Sequence, residues 1–456
     1  MHCIYKITMT KISNIAALLL TVFSIVTFSS CEDEGRKTII ITPNVDKPTY
    51  TIMYFACGGA TLDYAIERTL DEMMRSGVDE NIKFTCNVKW TKGYTSLKSD
   101  GSGSVYRSML DSENGYMEYE LVGDNSYPLY KPENIADFIE WSKEVAPSDN
   151  YILILAGHGN GWHPATDSAH TRGTIRDTDL NRYISLEELN EALDMSNTHF
   201  RLIQMVSCLM NTMEYITALS DNCDYILGSS HVSLMLCNEP SIMQVALKSI
   251  KDDSDESFVE AMRDLVSNIG TELRLLNDPS VVIDYSVTDT SKVEQLNQAI
   301  SLFTDQIIAL YNEESAIGAD AMREKYGVSI AEIEAELANS YAYAAPHLSP
   351  EEFAETEYVR QSFTYDIVDI VRHAANSCAG LSEAATMVEQ QAREARIINH
   401  TMGVTGMQQT YYGVSFTNSE NWISRRYEEG GYLTTEFDLA TGWSRLLRIN
   451  NTELIY

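Results

Sequence analysis

The chain has 456 residues, 44% hydrophobic and 22% charged, which is ordinary for a folded protein but too long for one simple core. Acidic residues outnumber basic ones by 66 to 33, a net charge of −33. Nothing offers a phosphate backbone a basic surface, so nucleic acid is excluded as a partner class; basic peptides, or simply a solvated acidic surface, fit this balance.

The chain opens with a targeting pattern. Lys6 and Lys11 precede an apolar run from Ile15 to Phe28, and Ser29-Ser30-Cys31 follows. A basic start, a short apolar stretch and small residues before a break read as a signal peptide over residues 1–30, the run being short for a membrane span. Small residues before a cysteine resemble a bacterial lipobox, with Cys31 as the lipidated first residue of the mature chain, although Phe28 stands where leucine is usual. Glu32-Asp33-Glu34 resembles the acidic export tag of surface lipoproteins in Bacteroidetes-type bacteria. The expectation is an outer-membrane or cell-surface lipoprotein of a Gram-negative bacterium, held to the membrane by its lipid, with a periplasm-facing position as the alternative. Residues 31–48, polar and with two prolines, read as its tether.

Thr49–Cys57 is the first expected strand, ended by Gly58-Gly59, with a helix over Leu62–Ser76 and a second strand over Ile82–Trp90. Residues 91–115 look like a loop or hairpin, Tyr116–Leu121 like a strand, and Glu133–Ala146 like a helix. Tyr151–Trp162 and Phe200–Leu209 then stand out. Each begins as an unbroken apolar run of strand length and stops at a reactive side chain, His158 in one and Cys208 in the other. Such runs read as strands buried on both faces of a parallel sheet, and open parallel sheets gather chemistry beyond their carboxyl ends. Between them lies a helix over Ser185–Met195, its start marked by a capping box of Ser185 and Glu188. After them come a helix over Asn211–Ser220 and a short strand over Tyr225–Ser229. Alternating strands and helices imply a parallel sheet over residues 49–240. From 241 to 456 helical spacing dominates, with strands returning near 281–287 and 411–416, a helix start at Ser349-Pro350 and a closing helix over Trp443–Arg448.

A cysteine attacks as thiolate and needs a base nearby; His158 can fill that role and then protonate the leaving amine. The backbone N–H groups of Gly159 and Cys208 are candidate donors to the developing oxyanion. The spacing, a histidine about fifty residues upstream of the cysteine, is the one caspases use. A buried structural cysteine and a solvated loop histidine are the plainer reading of the two residues alone. Cys57, Cys86, Cys223, Cys237 and Cys378 form no CxxC pair and read mostly as small buried hydrophobes.

The stretches TIMYFACGGATLDYAI, FIEWSKEVAPSDNYILILAGHGNGW, YISLEELNEAL, SCLMNTMEYITALSDNCDYILGSS, VVIDYSV and YYGVSF resemble, in order and spacing, the clostripain family of cysteine peptidases. The resemblance implies an α/β fold, a caspase-like α/β/α sandwich with a mostly parallel central sheet and a mainly helical C-terminal lobe. It implies an endopeptidase with a His/Cys dyad matching His158 and Cys208, peptide or protein substrates, cleavage after Arg or Lys, and self-processing in the loop after the histidine strand. Arg172, Arg176 and Arg182 are the candidate self-cleavage sites. Two departures bear on specificity: Val206 stands where the family usually has Asp, and HVSLMLCNEP replaces a more acidic segment, with His231 where an acid is common. The rival reading is an inactive surface lipoprotein that binds peptide or protein; acyl transfer by the same dyad shares the acyl-enzyme step.

No cofactor is required by this chemistry. Asp177, Asp179, Asn181 and Glu188 do match oxygen-ligand positions of an EF-hand loop, which makes them a candidate calcium site, although Arg182 replaces the glycine of the sharp turn. His163, His170 and His231 fit no zinc spacing.

Overall fold

The apolar runs pair as strands, and their continuity is explained by burial on both sides. In the computed structural model, which describes residues 47–59, 61–159, 161–162, 173–230, 235–275, 283–337, 363–402, 415–418 and 431–449, β1 (Tyr50–Cys57) is buried at all eight positions. It lies between two parallel neighbours, β2 (Ile82–Lys89) and β6 (Asn150–Ala156). β6 in turn pairs in parallel with β9 (Phe200–Val206), and β9 with β10 (Cys223–Ser229). Ile52, Ile152, Leu202 and Tyr225 form one row across these four strands.

Helices cover both faces, as period-2 alternation requires when both sides are apolar. Met53, Phe55, Leu153, Leu155, Ile203 and Met205 face one cluster. It is filled from α2 (Pro132–Val145), α3 (Leu186–Ser196), α4 (Met213–Ala218) and α7 (Val293–Ile317). Ile52, Tyr54, Ile152, Ile154, Leu202 and Val206 face a second cluster, filled from α1 (Leu62–Ser76), α5 (Glu239–Lys248) and α6 (Asp255–Leu275). The result is the expected α/β/α sandwich. The capping box at the start of α3 is present: Ser185 N–H donates to Glu188 Oε2 at 2.9 Å, and Glu188 N–H to Ser185 Oγ at 3.1 Å.

The C-terminal half is mainly helical but is not set apart from the sheet. β11 (Ile283–Asp289) pairs antiparallel with β10, and β13 (Arg396–Met402) antiparallel with β11. At the other edge β3 (Val105–Asp111) pairs antiparallel with β2 and carries β4 (Tyr116–Met117) and β5 (Glu120–Gly123). The ten strands form one sheet, ordered β13-β11-β10-β9-β6-β1-β2-β3-β4, with β5 on β3. The second strand returning late in the chain is β14 (Ser415–Asn418), which pairs with β12 (Phe363–Asp366) outside this sheet; residues 411–414 lie outside the described residues, as does the expected helix start at Pro350.

A buried ion pair ties a hairpin to the carboxyl end of this sheet. β7 (Thr174–Asp177) and β8 (Arg182–Ile184) form that hairpin. Lys89, the last residue of β2 and 1% exposed, donates to Asp177 Oδ2 at 2.7 Å and to the carbonyls of Asn125 and Tyr127 at 3.0 and 2.9 Å. All three ammonium protons therefore have acceptors, which is what allows a lysine to be buried. Burial pushes the Asp177 carboxyl above the usual carboxylate range, and Lys89 pulls it back. Replacing Lys89 by Met strands that carboxyl without its partner. Urea unfolding of the Lys89→Met variant is expected to show a loss of about 3–5 kcal/mol, and the Lys89→Met/Asp177→Leu pair a smaller loss than the single change.

Candidate active site

The register of β6 and β9 builds the site. Their last pair is Ala156 with Val206, and Gly157 N–H then donates to the Val206 carbonyl at 3.3 Å. His158 and Cys208 each stand two residues beyond that pair, so both share the parity of Ala156 and Val206, whose side chains face the α1/α5/α6 layer. The two strand ends touch. A Cβ on Gly159 would lie 2.7 Å from the Cys208 carbonyl oxygen, 2.7 Å from Ser207 Cβ and 3.0 Å from Met210 Cγ. Only glycine permits that approach.

Cys208 occupies the turn between β9 and α4. Leu209, directly after it, has φ +61°, a left-handed conformation that costs a residue with a Cβ and is held by its surroundings. Asn211 N–H fastens the far side of the turn to the Ser229 carbonyl at 3.1 Å, at the end of β10. Cys57, Cys86, Cys223 and Cys378 are buried, whereas Cys208 and Cys237 are partly exposed. Burial pushes the Cys57 and Cys223 thiols well up and that of Cys86 to about 12, so these three are poor sources of thiolate. The Cys237 thiol is also pushed up, first by burial and then by Glu239.

His158 is held by β1 and by the hairpin. Its carbonyl accepts the N–H of Arg176 at 3.0 Å, and its imidazole lies beside Gly59, whose backbone favours the protonated ring. Gly59 is placed in turn by Asp63, a buried residue in the first turn of α1, which accepts from Gly59 N–H at 3.0 Å and Thr91 N–H at 2.8 Å. Gly58 leaves the room for this, since a Cβ there would fall 2.0 Å from Asp63 Oδ1. Gly59, Asp63 and Arg176 were not singled out as partners of His158 by the sequence. The one available signal was a glycine pair ending the first strand with an acid in the following helix turn. Burial is the main influence on the ring and lowers its pKa; the Gly59 backbone and Asp63 oppose this, and Arg176 reinforces it.

The other expected site residues divide. Arg176 lies in β7 and donates to Asn181 Oδ1 at 2.6 Å. Arg182 lies in β8, pairs with Glu188 at 2.5 Å and stacks over the Tyr130 ring at 3.8 Å. Arg172, His163, His170, His231 and Cys31 lie outside the described residues. No described helix is long and apolar enough to cross a membrane.

The oxygens of the calcium candidates all have partners within the chain. Asp177 is spent on Lys89 and on the N–H of Leu180; Asp179 accepts from Lys92 N–H at 2.9 Å; Asn181 accepts from Arg176; Glu188 serves the helix cap and Arg182. Asp177, Asp179 and Asn181 lie in a β-hairpin and Glu188 in α3, and their oxygens point at different partners. Among the described residues no group of three or more His, Cys, Asp or Glu side chains is arranged to hold a metal ion.

A lowered imidazole pKa keeps the ring neutral to a more acid pH than an ordinary histidine, so the proton-accepting form dominates at neutral pH. NMR titration of His158 in a Cys208→Ala variant is expected to give a midpoint below the ordinary value of about 6.5; a midpoint above it contradicts this account of the site.

Known proteins agree with this architecture. The family model of the Clostripain family matches residues 103–451, more than half of the chain. Two X-ray structures of a secreted C11 cysteine protease from Bacteroides thetaiotaomicron, "iotapain" and a form in complex with an irreversible peptide inhibitor, are similar in fold. Their TM-scores are 0.58 and 0.59 and their identities 13% and 16%; each comparison covers 87% of this chain and 99% of the other. An inactive zymogen C11 protease from Parabacteroides distasonis matches with TM-score 0.53 and 18% identity, over 87% of this chain and 98% of that one. No curated protein sequence matches significantly. The chain therefore belongs to the clostripain family and is a cysteine-type peptidase.

Proposed function

We propose that Cys208 and His158 are the catalytic dyad of this peptidase and that it acts as an endopeptidase. The observation that carries the proposal is the parallel register of β6 and β9, which ends both strands at one level and brings Gly159 against the Cys208 backbone. His158 takes the Cys208 thiol proton. The Cys208 sulfur bonds to the scissile carbonyl carbon, and the carbonyl oxygen becomes an oxyanion facing the N–H groups of Gly159 and Cys208. As the C–N bond breaks, His158 gives its proton to the leaving amine. Water, with His158 as base, then cleaves the thioester and restores the thiol. The Gly59–Asp63 arrangement serves this cycle by fixing the ring.

Self-processing belongs to the same reading, with Arg172 favoured among the three arginines. A cleaved peptide must enter an active site extended, and the backbones of Arg176 and Arg182 are already committed to a hairpin. The zymogen form of the Parabacteroides relative supports a processing step. Preference for Arg or Lys at P1 has the weaker footing, because Val206 is buried in the apolar cluster and brings no charge beneath Cys208. The N-terminal pattern supports a lipoprotein anchored through Cys31, with the peptidase facing out of the cytoplasm.

Intact mass of the soluble form, residues 32–456, tests the dyad and the processing together. The wild type is expected to be cut within 163–172 and the Cys208→Ala variant to stay whole. His158→Ala is expected to lower kcat/KM on reporter peptides by roughly a thousandfold or more. Peptides with Arg, Lys and apolar P1 residues read the preference directly. An uncut wild type without turnover on a mixed library rejects the peptidase cycle and leaves peptide binding.

A further inference from the structure

Three segments distant in sequence meet at Tyr432. Its ring stands edge-on to Trp162, with centroids 4.8 Å apart and planes at 80°. Its hydroxyl donates to Glu214 Oε1 at 3.2 Å. Tyr432 and Glu214 are fully buried, and Trp162 is 2% exposed. Trp162 follows His158 by four residues, and Glu214 follows Cys208 by six, in the first turn of α4. Tyr432 thus comes from the far end of the chain to touch the segment after each reacting residue. The helix Glu436–Thr441 that follows it packs on α4 and α7, which fixes where the tyrosine can stand.

The two strand ends are joined closely at their base, where Gly159 meets Cys208 and Met210. Tyr432 adds a tie farther along both segments. The Tyr432 phenol meets both, with a donor for the Glu214 carboxylate and a ring for the Trp162 indole. From this geometry we infer that Tyr432 is a positioning residue for the reaction: it braces the His158 and Cys208 segments against each other and makes the docked C-terminal segment a requirement for a reactive thiol. The inference rests on the dyad reading above.

Alkylation of Cys208 by iodoacetamide, followed by peptide mass well below the unfolding midpoint, reads thiol reactivity without requiring turnover. Tyr432→Phe keeps the ring and loses the donor; it is expected to slow alkylation and lower kcat by roughly threefold to tenfold with little change in KM. Tyr432→Ala loses both ties and is expected to lower them by roughly a hundredfold, as misplacement of reacting groups by about 1 Å does. Glu214→Gln, which keeps the shape of the carboxylate, should mimic Tyr432→Phe, and the double variant should be no worse than either single one. Should Tyr432→Ala fail to fold, Tyr432→Phe and Glu214→Gln carry the test. Wild-type kcat and alkylation rate in both of these folded variants would overturn the inference. The dyad reading fails separately: in that case Cys208 of the otherwise wild-type chain alkylates no faster than in His158→Ala.

Discussion

Two parallel strands can deliver two side chains to one spot only if they lie side by side, in register, and end at the same level. β6 and β9 meet all three conditions at Ala156 and Val206, with His158 and Cys208 each two residues beyond that pair. Neither strand could be shifted by one residue without turning its reactive side chain to the opposite face. What fixes the register is the alternating burial along both strands, since Leu153, Leu155, Ile203 and Met205 fill one apolar layer while Ile152, Ile154, Leu202 and Val206 fill the other. The placement of His158 and Cys208 at the tip is thus specified by packing along the whole length of the strands.

Around that tip the protein supplies fixed polar partners in place of water. Asp63 holds Gly59, Gly59 lies beside the His158 ring, and Arg176 holds its carbonyl. The hairpin carrying Arg176 is itself tied down by Lys89 and Asp177. Each member of this chain of contacts is short-ranged, yet together they connect β1, β2, β6 and the hairpin. The same logic explains why charges are tolerated inside an apolar sandwich here: Lys89 and Asp177 each have several hydrogen-bond partners, so burial does not leave either one alone.

Much of this was legible in the residues. Unbroken apolar runs ending at His158 and Cys208 give away the parallel strands, and the Ser185–Glu188 box marks the start of its helix. Legibility failed where long-range pairing decides. Helical spacing runs over residues 380–398, but the edge of β11 offers the chain a ladder from Arg396, and Arg396–Met402 becomes a strand. Nothing in the local spacing of Asp177 announces its partner, a lysine 88 residues earlier in the chain. The partners of His158 come from Gly59 and Asp63, about a hundred residues upstream, and no local spacing announces them.

The strand order sets what a cut within residues 163–172 would do to the molecule. Residues 163–172 separate β6 from β7, so a break there divides the chain into one piece bearing β1 to β6 and another bearing β7 onward. The seam between the pieces runs through the middle of the sheet, between β6 and β9, and the ion pair of Lys89 with Asp177 spans it as well. The pieces would stay together because they share two cores, not because a covalent link remains. Once unfolded, however, they would have to find each other in solution, where a single chain has only a loop to close. Such a molecule can be assembled once, as one chain, and afterwards lasts only as long as it stays folded.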